Sequence, residues 1–184
     1  MTALTKPRMT VDEFLAWAMT QPARYELHRG EVYVMSPENA GHAEIKFAIQ
    51  RVLLAAISAT GLSCYVLPDG MTVRIDDETA YEPDAIVYCG PKIARAAVEV
   101  ANPLVVVEVL SPSTRSVDLS VKLAHYFRLP SVAHYLIVDP AQPMIIHHSR
   151  SGAGDTILTR VVTEGAIKLD PPGLELAVAD IYAD

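Results

Sequence analysis

A carboxylate planted in an uninterrupted aliphatic run is the feature that most constrains this chain. Glu108 sits in Leu104-Val105-Val106-Val107-Glu108-Val109-Leu110, whose β-branched residues read as a strand buried on both faces. A carboxylate in such a place is costly to desolvate unless a cation, a hydrogen-bond network or a proton meets it, so Glu108 requires a partner. Upstream, Glu82-Pro83-Asp84-Ala85-Ile86-Val87-Tyr88 is a second short apolar run with an acid near its start. A divalent metal shared by Asp84 and Glu108 satisfies the requirement if the two strands are neighbours.

The rest of the chain is arranged around this pair. Thr10-Val11-Asp12-Glu13 has the form of a capping box and opens a short helix through Trp17-Ala18. The alternation from Tyr25 to Met35 around Arg29-Gly30 predicts a β-hairpin that carries Glu26 on its first strand. Apolar residues from Ile45 to Ile57 recur at helical intervals, which predicts the longest helix over about Asn39 to Ala59, stopped by Gly61, with His42 in its first turn. Leu62 to Leu67 and Met71 to Ile75 read as strands joined by a Pro68-Asp69-Gly70 turn, and Pro91 to Glu99 as a short helix. Asp76-Asp77-Glu78 reads as a solvated loop.

After Ser111-Pro112, a helix is expected from about Ser116 to Leu129, with Leu119, Leu123 and Phe127 inward and Asp118, Lys122 and Tyr126 on another face. Ala133 to Val138 is the next strand; Met144 to His148, Thr156 to Val162 and Ala166 to Leu169 form a terminal meander. The adjacent His147 and His148 point to opposite faces of their strand, which argues against joint metal ligation. His125 and His134 read as structural. Hairpins, a strand-loop-strand core and a crossover helix define an α/β fold with a mixed sheet.

The 184 residues fit one domain spanning 1–184. The start lacks the apolar core of a signal peptide and no run is long enough to span a bilayer, so a cytoplasmic location is expected and a membrane partner is not. Cys64 and Cys89 have no CxxC spacing and read as two buried thiols in a reducing compartment. A net charge of −7 opposes non-specific attraction to nucleic acid, so any DNA binding must rest on a local site. The apolar faces of the terminal strands are compatible with a homodimer.

Mg²⁺ takes oxygen ligands and keeps several waters, so Asp84 and Glu108 with a substrate phosphate suffice to hold it; the same oxygen-rich set suits Mn²⁺ and disfavours Zn²⁺. Lys122, on the helix that follows the Glu108 strand, can orient a water and stabilise charge on phosphate. Together these residues describe phosphodiester hydrolysis by a metal-activated water.

The sequence also resembles the Uma-two family of restriction endonuclease-like proteins within the PD-(D/E)xK nuclease superfamily. The likeness runs from Met9-Thr10-Val11-Asp12-Glu13-Phe14 through Tyr25-Glu26-Leu27, Gly30-Glu31 and Gly41-His42 to Pro83-Asp84, the Glu108 run with Ser111-Pro112-Ser113-Thr114, then Asp118, Lys122, Tyr126 and Tyr135-Leu136-Ile137-Val138-Asp139. The resemblance implies a restriction-endonuclease-like core with a mixed β-sheet flanked by helices, plus the N-terminal hairpin and C-terminal β meander. It further implies Mg²⁺ or Mn²⁺ held by Asp84, Glu108 and the Val109 carbonyl, and DNA as substrate. The superfamily lysine would fall at position 110, which is Leu110, so its role passes to Lys122. Glu26 and His42 are expected to assist the catalytic set, His42 by touching phosphate or a metal-side water. Two rivals stay open: a nuclease fold that has lost catalysis and serves as a nucleic-acid or protein binding module, and hydrolysis of small phosphate esters by the same site.

Overall fold

The computed structural model describes residues 8–111, 118–152 and 156–183. A first helix α1 (Val11–Ala18) is closed by the expected capping box: Thr10 accepts the Glu13 N–H and the Glu13 carboxylate accepts the Thr10 N–H. The strands β1 (Tyr25–His28) and β2 (Glu31–Val34) form the hairpin. Its turn holds Arg29 at φ 50° and Gly30 at φ 77°, the two positive values that a tight two-residue connection requires. A Cβ at Gly30 would also come within 2.8 Å of the Arg8 side chain. The long helix α2 (Ala40–Thr60) starts at Asn39, whose side chain accepts the His42 N–H, and stops at Gly61 in the left-handed region.

Next come β3 (Cys64–Pro68), β4 (Val73–Asp76), β5 (Thr79–Tyr81), β6 (Ala85–Cys89) and β7 (Val105–Val109). A π-helical turn over Asp118–Lys122 runs into α3 (Leu123–Tyr126), followed by β8 (His134–Val138), β9 (Ile145–Arg150), β10 (Ile157–Val162), β11 (Ala166–Leu169), β12 (Leu174–Ala177) and a last short helix α4 (Val178–Ile181). The main sheet has six strands in the order β10-β9-β8-β7-β6-β3, in which only β7 and β8 run parallel. A four-stranded sheet, β2-β1-β5-β4, and the β11-β12 pair complete the mixed α/β architecture.

The period of two along β6 and β7 sorts their side chains into two cores. Ala85, Val87, Val105, Val107 and Val109 pack beneath Ile49, Val52, Leu53 and Ile57 of α2. Ile86, Tyr88 and Val106 pack on the other side with Tyr126, Tyr135 and Ile137. Both faces are covered, which is why these strands read as continuous apolar runs.

Several expectations are corrected. Residues 91–99 are not helical: after a turn closed by the Ala97 N–H on the Ala94 carbonyl, the chain bridges to Thr72, which donates to the Val98 carbonyl at 3.0 Å and accepts the Val100 N–H at 2.9 Å, and Glu99 pairs with Arg74 at 2.8 Å. The strands on either side of Pro68-Asp69-Gly70 enter different sheets, β3 pairing with β6 and β4 with β5. Cys64 and Cys89 are not two thiols; they face each other in the β3–β6 register and are joined as a disulfide. The expected meander is divided, with β9 and β10 extending the main sheet and β11 leaving it to pair with β12. Of the helix expected from Ser116, residues 112–117 and the side chains of Asp118 and Leu119 lie outside the described residues; the described part is π-helical before it becomes α-helical.

Candidate functional site

The β6–β7 register brings the two acids together. Ala85 stands opposite Val107, and the Asp84 N–H continues the ladder to the Val107 carbonyl at 3.0 Å, so Asp84 falls across from Glu108 at the sheet end. Asp84 Oδ2 accepts the Val109 N–H at 2.7 Å, while Gln50 of α2 donates to the Asp84 carbonyl at 2.8 Å. Both carboxylates are buried, at 6 % and 5 % exposure.

Lys122 reaches the same place from the turn after β7. Its Nζ donates to Glu108 Oε1 and to Glu26 Oε1, each at 2.9 Å, and lies 5.2 Å from the Tyr81 ring centre. Tyr126 OH donates to the same Glu108 oxygen at 2.7 Å. Lys122 and Tyr126, four residues apart, therefore do share a face, and that face grips Glu108. Glu26 is brought in by the hairpin and held by the Glu82 N–H at 3.1 Å. Burial of an ion pair is favourable only with such satisfied geometry.

His42 arrives from the other side of the sheet, in the first turn of α2. Its Nε2 hydrogen-bonds the Val109 carbonyl at 3.0 Å and lies 3.7 Å from Asp84 Oδ2. Asp84 and His42 thus meet at the Val109 backbone, and Lys122 joins Glu108, the residue before Val109, to Glu26. Burial pushes the Asp84 carboxyl above its ordinary range, against the opposing pull of the Val109 N–H, His42, Lys46 and Lys122. No lysine or arginine pairs with Asp84 directly among the described residues.

Asp84 and Glu108 are buried and Glu26 half-buried, and the hard oxygen donors of these carboxylates fit a divalent cation beside the Lys122 ammonium. A second donor combination also exists: Glu38, His42 and Asp84 each offer one ligand atom, all within 4.8 Å of one another. Glu38 was not singled out by sequence; its signal was the spacing of four to His42 across a helix start. Around it, Lys46 bonds Glu38 and reaches Asp69 at 3.0 Å, while Arg24 bonds Asp69 and pairs with Glu82 at 2.9 Å. An open cleft of about 370 Å³ beside this rim is lined by Arg24, Met35, Ser36, Pro37 and Glu38.

The remaining histidines lie elsewhere. His125 bonds the Tyr81 hydroxyl at 2.7 Å, which in turn meets His28 at 2.8 Å. His134 bonds His147 at 2.9 Å, and His148 meets Thr159 at 2.8 Å, so the adjacent pair does diverge. The expected acidic loop is shorter than read: Asp76 ends β4, where it accepts the Glu78 N–H and pairs with Arg128, and only Asp77 and Glu78 form the exposed turn. No described helix is long and apolar enough to cross a membrane.

Similarity to other proteins agrees with this architecture. An uncharacterized protein of Synechocystis, slr1290, is 27% identical over 177 residues, covering 96% of this chain and 92% of its own. A second from the same organism, sll1609, is 25% identical over 168 residues, covering 90% and 94%. The crystal structure of a protein from Anabaena variabilis, titled a putative nuclease belonging to DUF820, shares the fold with a TM-score of 0.74 over 95% of this chain and 98% of that one, at 15% identity. Residues 11–179 match the model of a family described as "Putative restriction endonuclease", and the chain belongs to that family, Uma2.

Proposed function

We propose that the protein is a metal-dependent DNA endonuclease in which Asp84, Glu108 and the Val109 carbonyl hold Mg²⁺ or Mn²⁺. The observation that carries this reading is the position of Lys122: fourteen residues beyond Glu108, its Nζ is nonetheless 2.9 Å from the Glu108 carboxylate, where a lysine at position 110 would have been expected to act. Metal in such a site supplies charge neutralisation for a phosphodiester and makes a bound water more acidic.

The chain's own residues supply the remainder. Asp84 is aimed by the Val109 N–H, and Glu108 by the Tyr126 hydroxyl and Lys122, so both acids are oriented before any ligand arrives. Lys122 directs the attacking water and offsets charge that develops on the phosphate. Glu26 holds the ammonium through a second charge-assisted hydrogen bond at 2.9 Å. His42 acts through the Val109 carbonyl, whose second lone pair stays open to another partner.

The test is nicking of supercoiled plasmid with Mg²⁺ or Mn²⁺ by wild type, Glu108→Ala and Lys122→Ala, with folding matched by circular dichroism. Metal-dependent nicking lost in both variants is the expected result. Equal nicking by Glu108→Ala would refute the assignment. Binding of DNA without turnover by the wild type would favour the catalytically silent module, and turnover of a small phosphodiester with no gain from DNA would favour the esterase.

A further inference from the structure

The long helix α2 buries one face, with Ile49, Val52, Leu53 and Ile57 in the core, and turns the other to solvent. On that outer face Ala40, Glu44, Phe47, Arg51, Leu54 and Ser58 are all exposed. They recur in steps of four and three, the spacing of a seam between two packed helices. A solvated face is expected to be polar, yet Phe47 is 67 % exposed and Leu54 57 %. Phe14 is buried and Phe127 half-buried, so Phe47 alone among the three phenylalanines stands in water. Single exposed apolar residues are ordinary, but two on one seven-residue stripe mark a contact surface.

We infer that this seam receives a second copy of the chain, α2 lying antiparallel on α2 across a two-fold axis. The charges on the seam select that occupant and its register. Phe47 is flanked by one acid and one base, Glu44 and Arg51. Across a two-fold, if one residue meets another then the second meets the first, so facing positions on the two helices have numbers with a constant sum. Centring the pair beside Phe47 sets Glu44 opposite Arg51 twice, Phe47 on Phe47, and Leu54 over Ala40 and Gly41, whose small side chains leave it room. A parallel pair in register would oppose Glu44 to Glu44. An antiparallel pair shifted to put Phe47 on Leu54 would bring the two Arg51 together. The seam is electrically neutral in a chain of net charge −7, so a second copy meets less repulsion here than over the acidic surface at large. Arg51 spends one N–H on the Asp180 carbonyl at 3.1 Å, which steadies a fork that carries five. His42 lies between five and six residues from this axis, about 8 Å at a helical rise of about 1.5 Å per residue. The two Val109 clusters therefore stand on opposite sides of the axis, one for each strand of a duplex; that consequence rests on the nuclease reading, while the dimer does not.

Sedimentation equilibrium of the full chain at about 1–100 µM reads the association directly, and a monomer–dimer equilibrium is expected. Phe47→Asp should raise the dimer dissociation constant at least about thirtyfold, as loss of a central aromatic anchor does. Glu44→Arg alone and Arg51→Glu alone each set like charges across the seam and should weaken the dimer about tenfold at low salt. The two reversals together oppose unlike charges again and should restore it. All three positions are exposed, and an unchanged circular dichroism spectrum checks that each variant folds. A wild type that stays monomeric throughout the range would overturn the inference, as would a dimer indifferent to Phe47→Asp or one that the double reversal fails to restore. A dimer lost instead on Val161→Lys would place the contact on β10, whose Val161 is 62 % exposed, and would equally overturn it. If the seam variants respond as expected and the wild type does not nick DNA, the dimer stands and the nuclease reading fails.

Discussion

Two lysines in this molecule are each pinned between two carboxylates, and they differ in depth. Lys122 lies between Glu26 and Glu108 with 3 % of its side chain exposed, and its partners are at 14 % and 6 %. Lys46 lies between Glu38 and Asp69 at 11 %, but its partners are at 31 % and 24 %. The inner bridge cannot trade a lost partner for water, whereas the outer one can. The same motif is therefore a structural necessity in one place and an adjustable rim in the other.

The largest expected effect follows from breaking the inner bridge. Lys122→Met leaves the buried Glu108 and the half-buried Glu26 without their shared cation, and urea denaturation should show a loss of about 3–5 kcal/mol. Glu108→Gln in the same chain should restore a substantial part of it, because the remaining acid no longer faces a second. No recovery in the double variant would mean that Lys122 acts through packing and not charge. Tyr126→Phe removes one donor to Glu108 and keeps the ring, so a smaller loss of about 1–3 kcal/mol is expected by the same measurement.

The inner bridge was partly legible in sequence, and the outer one was not. Glu108 announced itself because a lone acid among valines needs a partner, and Lys122 because its helix follows that strand; spacing put Tyr126 on the same face, but it read as packing and not as the donor to Glu108 that it is. Glu26 showed by alternation only as a polar position in a hairpin, and its expected part in the site came from the resemblance. Glu38 and Lys46 were missed because their meeting depends on Asp69, a turn residue whose partners come from α2 and from Arg24 before β1. The three-residue β5 was missed for a related reason: Thr79-Ala80-Tyr81 is too short to show a period, yet all three are buried through pairing with β1 and β4. The Cys64–Cys89 bond likewise depends on a strand register that spacing alone does not reveal.

Asp84 stands between the two bridges and sharpens the contrast by titration. Burial raises its pKa above the unfolded value, so ionisation costs more in the folded chain, and the penalty is fully present above the folded pKa. Below the unfolded value of about 3.9 both states are protonated and the penalty vanishes. Without metal, Asp84→Asn should therefore be more stable than wild type at neutral pH, with the gain shrinking as pH falls into that window, while metal-dependent nicking is lost. A variant less stable than wild type at every pH would show that the Val109 contact outweighs the burial of charge.

Asp69, on the outer bridge, should titrate in the opposite sense and by the least. Burial favours its neutral form, but hydrogen bonds and charge from Lys46 and Arg24 prevail and lower its pKa. Its contribution to stability is thus present above the unfolded value of about 3.9 and is lost as pH falls through the lower folded value. Asp69→Asn should cost roughly 0.2–1 kcal/mol at neutral pH, with the difference from wild type disappearing in acid and weakening in about 1 M salt. A loss as large as that of Lys122→Met, insensitive to salt, would mean that the rim is as closed as the interior and that depth does not separate the two bridges.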